Sequence, residues 1–483
     1  MVSPMSDPPP SARAAALEAL HQAYRGEGFL RDALHAVFRV MPLEPRDRAL
    51  ATQLAMGTVR HRRTLRLLLS HLRRGSGRER DIQPELREIL ELGAFQLLFL
   101  DRVPAYAAVN EAVEQARQAG GGKTAGFVNG MLRGLKRLIA GRDPEGHPAR
   151  DALPHPDGGV VHLKAAVLPD PQESVASFLG AAYSYPDWLV ARWLGSFGDK
   201  AEAICRWQNR RPHILARVNA SKAPPPADLP AGPRPGTVDV SGLAPAALEA
   251  LLAVGTLTVQ DPSAMEPVLA LAPVPGETVL DLCASPGTKT TQIAESLAGK
   301  GRVVACDRTE EKLRPIREAM AARGVTGVTT CLSTDVAATV PEGGFDAALV
   351  DAPCSNTGVL ARRVEARWRL RPEDLQELPR VQLELVSRAA ALVRPGGRLV
   401  YSTCSIQEEE NGCVVAEFLN GHPEWHRTRS ELVLPGSDHD GVFWALFVKG
   451  ATVRSPMHFQ ALSCRLIPRS KGAGPLTGQP PAK

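Results

Sequence analysis

The sequence predicts two architectures in one chain: an all-helical N-terminal part, then a doubly wound α/β domain with a mostly parallel sheet. Three observations predict this. Residues 11–140 carry amphipathic helical runs with no strand between them. From about Val274 onward, short apolar stretches of strand length alternate with longer helical ones, the pattern of βαβ crossovers. Two Pro- and Gly-rich breaks, 141–159 and 223–236, punctuate the middle of the chain.

Taken in order, residues 1–10 are polar and proline-rich and are expected to be disordered. Ser11 is a candidate N-cap, with Leu17, Leu20 and Tyr24 following at helical spacing. Further helical runs cover 46–59, 65–72, 84–98, 107–119 and 125–138, separated by Gly75-Ser76-Gly77, Val103-Pro104 and Gly120-Gly121-Gly122. Short connections between such runs predict a helical bundle over 11–140. Residues 141–171 read as a linker. Residues 172–219 read as helical and then extended from Ile214, which opens a small α+β subdomain over 172–258. Candidate strands of the α/β domain, 259–468, are 278–283, 302–307, 328–332, 347–352 and 398–402. Candidate helices are 289–297, 309–323 and 372–393. Two late apolar runs, 442–449 and 458–467, suggest an antiparallel pair at the sheet edge, and 469–483 a loose tail.

Composition narrows the function classes. With 44% apolar and 23% charged residues over 483 positions, whole-chain disorder is excluded. No window approaches the length of a membrane span, and no apolar signal core opens the chain, so a cytoplasmic protein without membrane contact is expected. The eight cysteines form no C-x-x-C pair, which argues for thiols rather than a disulfide framework or a metal cluster. The net charge is +5, but residues 1–140 hold 21 Lys/Arg against 14 Asp/Glu. Eight arginines crowd Thr58–Arg80: Arg60, Arg62, Arg63, Arg66, Arg73, Arg74, Arg78 and Arg80. Such a cluster suits phosphates, and a solvated helix face is the plainer alternative.

The first α/β strand runs into Asp281-Leu282-Cys283-Ala284-Ser285-Pro286-Gly287-Thr288-Lys289-Thr290, a turn of small residues leading into a helix. Ligands of doubly wound folds bind at this end of a central strand, and Asp307 ends the next strand, where a carboxylate can accept from ribose hydroxyls. The loop lacks the glycines of a dinucleotide site and the Gly-Lys of a phosphate-binding loop. A nucleoside with an amino-acid tail, S-adenosylmethionine, suits it; a plain strand-to-helix turn is the alternative. Two further loops follow strands: Asp351-Ala352-Pro353-Cys354-Ser355-Asn356-Thr357-Gly358 and Tyr401-Ser402-Thr403-Cys404-Ser405. Asp351, Cys354 and Cys404 thus converge on one crevice if their strands are neighbours. Two thiols and a carboxylate fit methylation of pyrimidine carbon 5, because a thiolate adding to carbon 6 makes carbon 5 nucleophilic. Buried structural cysteines are the alternative.

These motifs resemble the RsmB/Sun family of ribosomal RNA cytosine-5 methyltransferases, within the RsmB/NOP group. Asp281–Thr290, Asp351–Gly358, Thr403–Ser405 and Glu409-Glu410-Asn411 follow the family's motifs in order. Pro186–Val190 and Arg217-Val218-Asn219 resemble its RNA-binding subdomain, Gln260–Ser263 the start of its catalytic domain, and Asp440-Gly441 its late strand. Ala108–Val113 and Phe127–Arg133 resemble a fused NusB-like RNA-binding domain. The resemblance implies a Rossmann-like methyltransferase domain with a seven-stranded sheet, acting as a monomer on small-subunit (16S) ribosomal RNA before the ribosome is complete. Transfer RNA as substrate, or RNA binding without catalysis, are the alternatives. By resemblance, Cys404 is the nucleophile, Cys354 assists product release and Asp351 contacts the base. Cys283, Ala284, Ser285, Pro286, Gly287, Thr288, Lys289, Asp307, Asp335 and Asp351 would line the S-adenosylmethionine site; a helix N-cap is the local alternative for Asp335. Ser285, Thr288 and Asn356 depart from the family pattern. Thr288 would be strained if its position needed φ > 0, whereas Asn at 356 tolerates that geometry. Arg362, Arg363 and Arg367 are candidate phosphate contacts, and Trp368 and Tyr401 candidate stacking platforms or core residues.

Overall fold

A computed structural model describes residues 11–26, 28–74 and 82–450. The N-terminal decapeptide, the turn at 75–77, Arg78, Arg80, Cys464, the expected strand 458–467 and the tail lie outside them. The chain divides into two compact units: up to Arg211 together with Arg363–Arg369, and Pro212–Arg362 together with the chain from Leu370. No helix of the described residues is long and apolar enough to cross a membrane.

The first unit opens with α1 (Ala12–Tyr24), α2 (Leu30–Val40), α3 (Pro45–Arg60), α4 (Arg62–Arg74), α5 (Pro84–Phe99) and α6 (Ala105–Leu138). Ser11 caps α1, its Oγ accepting from the Ala14 amide at 3.1 Å. Helix α2 was not anticipated, although Leu30, Ala33, Leu34 and Val37 are its buried residues at i, i+3, i+4, i+7 spacing. The two helical runs expected at 107–119 and 125–138 form one element kinked at Gly120 and Gly121, the latter at φ +78°.

The linker reading of 141–171 is corrected. Strands β1 (Ile139–Asp143), β2 (Ala152–Pro154) and β3 (Val160–Leu163) form an antiparallel sheet in the order β1-β3-β2. Each strand is too short to show a period, yet Ala152, Leu153, Val160, Val161 and Leu163 are buried. At Gly159 a Cβ would stand 2.1 Å from the Asp143 carbonyl oxygen, so the turn before β3 needs glycine there. Helices α7 (Val175–Ala182), α8 (Asp187–Phe197) and α9 (Lys200–Trp207) follow.

The second unit begins with β4 (Leu215–Val218), β5 (Thr237–Asp239), α10 (Pro245–Ala253) and β6 (Leu257–Val259), a small antiparallel sheet ordered β5-β4-β6. Of the subdomain expected over 172–258, the helices fall in the first unit and the strands in the second. Next come α11 (Pro262–Leu271), β7 (Thr278–Asp281), α12 (Thr288–Ser296), β8 (Arg302–Asp307), α13 (Glu310–Ala322), β9 (Val328–Leu332) and β10 (Phe345–Asp351). After the short α14 (Ala366–Arg369), part of the first unit, follow α15 (Asp374–Leu392), β11 (Val393–Thr403), α16 (Gly412–Gly421), β12 (Trp425–Val433) and β13 (Val442–Lys449).

The large sheet has seven strands in the order β12-β13-β11-β10-β7-β8-β9. Strands β9 to β11 in that row are parallel, and β13 runs antiparallel to both β11 and β12. The edge partner of β13 is thus β12, which the sequence reading missed: its exposed centre, His426-Arg427-Thr428-Arg429, hides the strand period. Alternate residues supply two cores. Leu280, Val304, Val350 and Leu399 pack with Val386, Val414 and Phe418, and Val279, Val303, Leu349 and Val400 pack with Val268, Ile293 and Leu297.

Candidate active site

The strand order reverses between β7 and β10, so a crevice opens at their carboxyl ends. The Cys283–Lys289 loop lies there. Its Ala284 amide donates to the Cys306 carbonyl at 2.9 Å and its Gly287 amide to Ala284 at 2.6 Å; the Ser285-Pro286 bond is cis. Gly287, at φ +101°, caps α12. Thr288 is the first helical residue and keeps a right-handed backbone, so the strain considered for it does not arise: glycine already holds the left-handed position.

Three carboxylates gather at this end of the sheet. Asp281 ends β7; one oxygen accepts from Thr290 Oγ1 at 2.7 Å, and the other is buried with no hydrogen-bond partner among the described residues. Burial, reinforced by Asp351 and Asp307 against the Thr290 hydrogen bond and Lys289, pushes its pKa up to about 7. Asp307 braces the loop: it accepts from the Ser285 amide at 3.1 Å and the Arg308 amide at 2.7 Å, with Lys312 Nζ at 3.1 Å. Asp351 pairs with Lys289 Nζ at 2.6 Å and accepts from Ser402 Oγ at 2.8 Å. Burial works against the Lys289 ammonium, but Asp351 outweighs it and its pKa lies above the usual lysine value. Asp335 is exposed in the first turn of a 3-10 helix, Ser333–Thr339, that follows β9, and it accepts from Thr334 Oγ1 at 2.9 Å.

Parallel pairing sets Asp351 beside Ser402 and brings the two cysteine loops together. Cys354 Sγ and Cys404 Sγ are 3.0 Å apart. The Cys404 contact, burial and the Glu410 charge hold the Cys354 thiol well above its ordinary pKa. Asn356, left-handed at φ +61°, lies 3.2 Å from Cys404 Sγ through Oδ1 and donates through Nδ2 to the Cys354 carbonyl at 2.9 Å. Gly358 is a close-approach position, where a Cβ would stand 2.9 Å from the Cys404 carbonyl oxygen. Cys283 is pushed up by burial and nearby carboxylates. Cys205, Cys283, Cys306, Cys331, Cys354 and Cys404 are free thiols.

Beneath the cysteine loops lies a network that sequence reasoning quoted as a motif without giving it a role. Glu410 is fully buried. It accepts from the Ser355 amide at 2.8 Å, Ser355 Oγ at 2.5 Å, Gln382 Nε2 at 3.0 Å and Ser405 Oγ. Burial raises its pKa against these donors. Asn411 holds Thr403 Oγ1 at 2.7 Å and the Ser405 carbonyl at 3.0 Å. Asp281 was likewise passed over, although a strand-ending carboxylate before the loop was a readable signal.

Several candidate RNA contacts are engaged inside the protein instead. Arg362 bonds Asp440 at 2.6 Å, Asp261 at 2.8 Å and the His213 carbonyl at 3.0 Å. Arg367 is fully buried, over the Tyr185 ring and bonded to Asn209 at 2.7 Å; Arg363 is exposed. Trp368 Nε1 donates to the Val59 carbonyl at 2.8 Å. Tyr401 is core, its hydroxyl donating to the Glu410 carbonyl at 2.5 Å. Arg217 is buried and paired with Glu295. In the Thr58–Arg80 cluster, burial pushes the Arg60 guanidinium down to about 9. Arg62 stacks on Tyr24, Arg63 pairs with Asp187 and Arg66 with Glu91. Asp187 and Glu91, distant in sequence, thus neutralise two of these arginines.

Comparison with known proteins gives the arrangement its family. Residues 268–442 match the model of the 16S rRNA methyltransferase RsmB/F family. Residues 10–137 match the NusB family, and 185–227 the ferredoxin-like domain of RsmF/B-like methyltransferases. The chain is 33% identical to the probable ribosomal RNA small subunit methyltransferase B of Synechocystis, covering 89% of this chain and 94% of the relative. It is 32% identical to the Bacillus subtilis protein of the same description, covering 86% and 89%. The chain belongs to the RsmB/F methyltransferase family. The crystal structure of PH0851 shares its fold, with a TM-score of 0.70 at 24% identity, covering 92% of this chain and 100% of that one. An RsmB/F enzyme takes S-adenosylmethionine as methyl donor, and the crevice fits it. The unpartnered Asp281 oxygen and the Asp307 and Asp351 carboxylates suit a ligand carrying an ammonium, a ribose and a sulfonium. The loop has no glycine run for a pyrophosphate.

Proposed function

We propose that this chain is an RNA cytosine-5 methyltransferase acting on small-subunit ribosomal RNA through a transient Cys404–cytosine bond. The observation that carries this reading is the meeting of Cys354 and Cys404 at 3.0 Å, on strand ends next to the Asp351–Lys289 pair. Relatives named ribosomal RNA small subunit methyltransferase B support the substrate. Asp281, the 283–289 loop and Asp307 hold the methyl donor, and Asp335 lies toward its adenine end.

The target base is flipped into the crevice. Cys404 loses its proton to solvent and its sulfur bonds to carbon 6, moving the ring electron pair to carbon 5. Asp351 contacts the base edge, and the Lys289 ammonium paired with it meets the negative charge that develops there. Bound S-adenosylmethionine supplies an electrophilic methyl group to carbon 5. Release then uses the thiol pair. The carbon-5 proton passes to the Cys354 sulfur as the Cys354 thiol proton passes to the departing Cys404 sulfur, and the electron pair restores the ring double bond. A Cys354 thiol of raised pKa suits this relay, because it stays protonated until Cys404 leaves.

The experiment uses labelled methyl donor and small-subunit RNA transcripts. Cys404→Ala is expected to lose methyl transfer and covalent adduct together, and Cys354→Ala to accumulate an adduct that survives denaturing electrophoresis. An adduct retained in Cys404→Ala reverses the thiol roles, and methylation confined to transfer RNA refutes the substrate.

A further inference from the structure

Asn356 sets a polar side chain beside the proposed nucleophile. Its orientation is fixed by its own loop. Nδ2 must face the Cys354 carbonyl, 2.9 Å away, because only the amide nitrogen can donate to it. Oδ1 therefore faces Cys404 Sγ, 3.2 Å away. The left-handed backbone at φ +61° folds the side chain back over the loop in this way. A carbonyl oxygen in that place accepts a hydrogen bond from a thiol; toward a thiolate it presents only lone pairs.

We infer that Asn356 is a positioning residue for Cys404: its Oδ1 accepts from the Cys404 thiol and aims the nucleophile until substrate is bound. The inference rests on the assignment of Cys404 as nucleophile. It separates the work of the two neighbours of Cys404. The Cys354 thiol, on one side, can donate to the sulfur and supports negative charge there. Asn356, on the other, can only accept. The thioether formed with the base has no proton to give Asn356, so the residue also favours release of the adduct over its persistence.

The test is alkylation of the ligand-free protein with iodoacetamide at neutral pH, followed at Cys404 by peptide mass spectrometry. The sulfur displaces iodide and its proton goes to solvent, so the rate reports how freely the Cys404 sulfur is released from Asn356 to react. Asn356→Gly, which accepts the left-handed backbone, is expected to react about fivefold faster, the equivalent of one neutral hydrogen bond. Asn356→Asp, of the same size but negatively charged, is expected to react roughly tenfold slower. The opposite signs separate the effect from simple unblocking of the thiol. Equal rates in all three proteins, or a slower Asn356→Gly, overturn the inference. The RNA adduct experiment with Cys404→Ala addresses the nucleophile separately: alkylation can follow this order even if the adduct maps to Cys354, in which case only the catalytic reading falls.

Discussion

Asp281 shows how a single residue sets a pH response. Its carboxyl ends β7, is almost completely buried and has one oxygen with no partner among the described residues. Its pKa in the folded protein is about 7, against about 4 in an unfolded chain. The folded state thus holds this proton more tightly. Its contribution to stability is complete below about pH 4 and is lost as pH rises through about 7. The melting temperature of the ligand-free protein is expected to fall across that window, with a shallower fall in Asp281→Asn. A cationic methyl donor favours the carboxylate, so donor affinity is expected to rise as pH rises through about 7. A calorimetric affinity profile equally steep in Asp281→Asn would remove Asp281 from the donor site. At this scale the sequence was legible where chemistry-bearing residues follow strands: Asp307, Asp351, Cys354, Cys404 and Lys289 all lie where strand ends placed them. Arg362, Arg367 and Tyr401 were not legible. Their partners, Asp440, Asn209 and Glu410, come from distant or folded-back segments that no local pattern announces.

Between β11 and α16, the short stretch around Glu410 ties two elements together. Its carboxylate is satisfied by donors from the Cys354 loop, the Cys404 loop and α15. Removing it would strand several buried donors at once, each costing about 1–3 kcal/mol. Glu410→Ala is therefore expected to destabilise the catalytic unit by about 3 kcal/mol and to reduce RNA adduct formation as the two loops lose their common anchor. Glu410→Gln keeps one acceptor oxygen for the Ser355 amide and Gln382, while the serine hydroxyls can turn to accept. It is expected to restore most of both properties. Chemical denaturation and adduct yield on the same three proteins check this; equal losses in Gln and Ala variants would show that the charge, not the bracing, matters. Elements with a strong period, such as β8, β9 and β13, were legible to their ends. Short or outward-charged ones, such as β1 to β3 and β12, were not, because their stabilisation comes from pairing rather than from a pattern within the strand.

On the scale of the whole chain, the two units do not follow the sequence boundaries. The heptapeptide 363–369 follows the Asp351 loop in sequence but belongs to the helical unit. There Glu365 accepts from the Leu30 amide at 3.0 Å, and Trp368 donates to the Val59 carbonyl at 2.8 Å. Arg367 bonds Asn209 at 2.7 Å and the carbonyls of Arg60, Ser184 and Gln208 at 3.2–3.3 Å. A domain reading that cuts the chain once, near residue 140 or 258, loses these contacts. A fragment ending at Arg211 contains these four acceptors of Arg367 but not the guanidinium that satisfies them. In the intact chain, Arg367→Met keeps the volume and removes the donors, and it is expected to weaken the helical unit by about 3 kcal/mol. Hydrogen exchange should then speed up around 59–61 and 184–209 and stay unchanged in β7 and β10. The fragment 11–211 should exchange at least as fast in the same places. If the fragment instead protects them as well as the full chain does, the heptapeptide is a passive guest and the helical unit is complete without it.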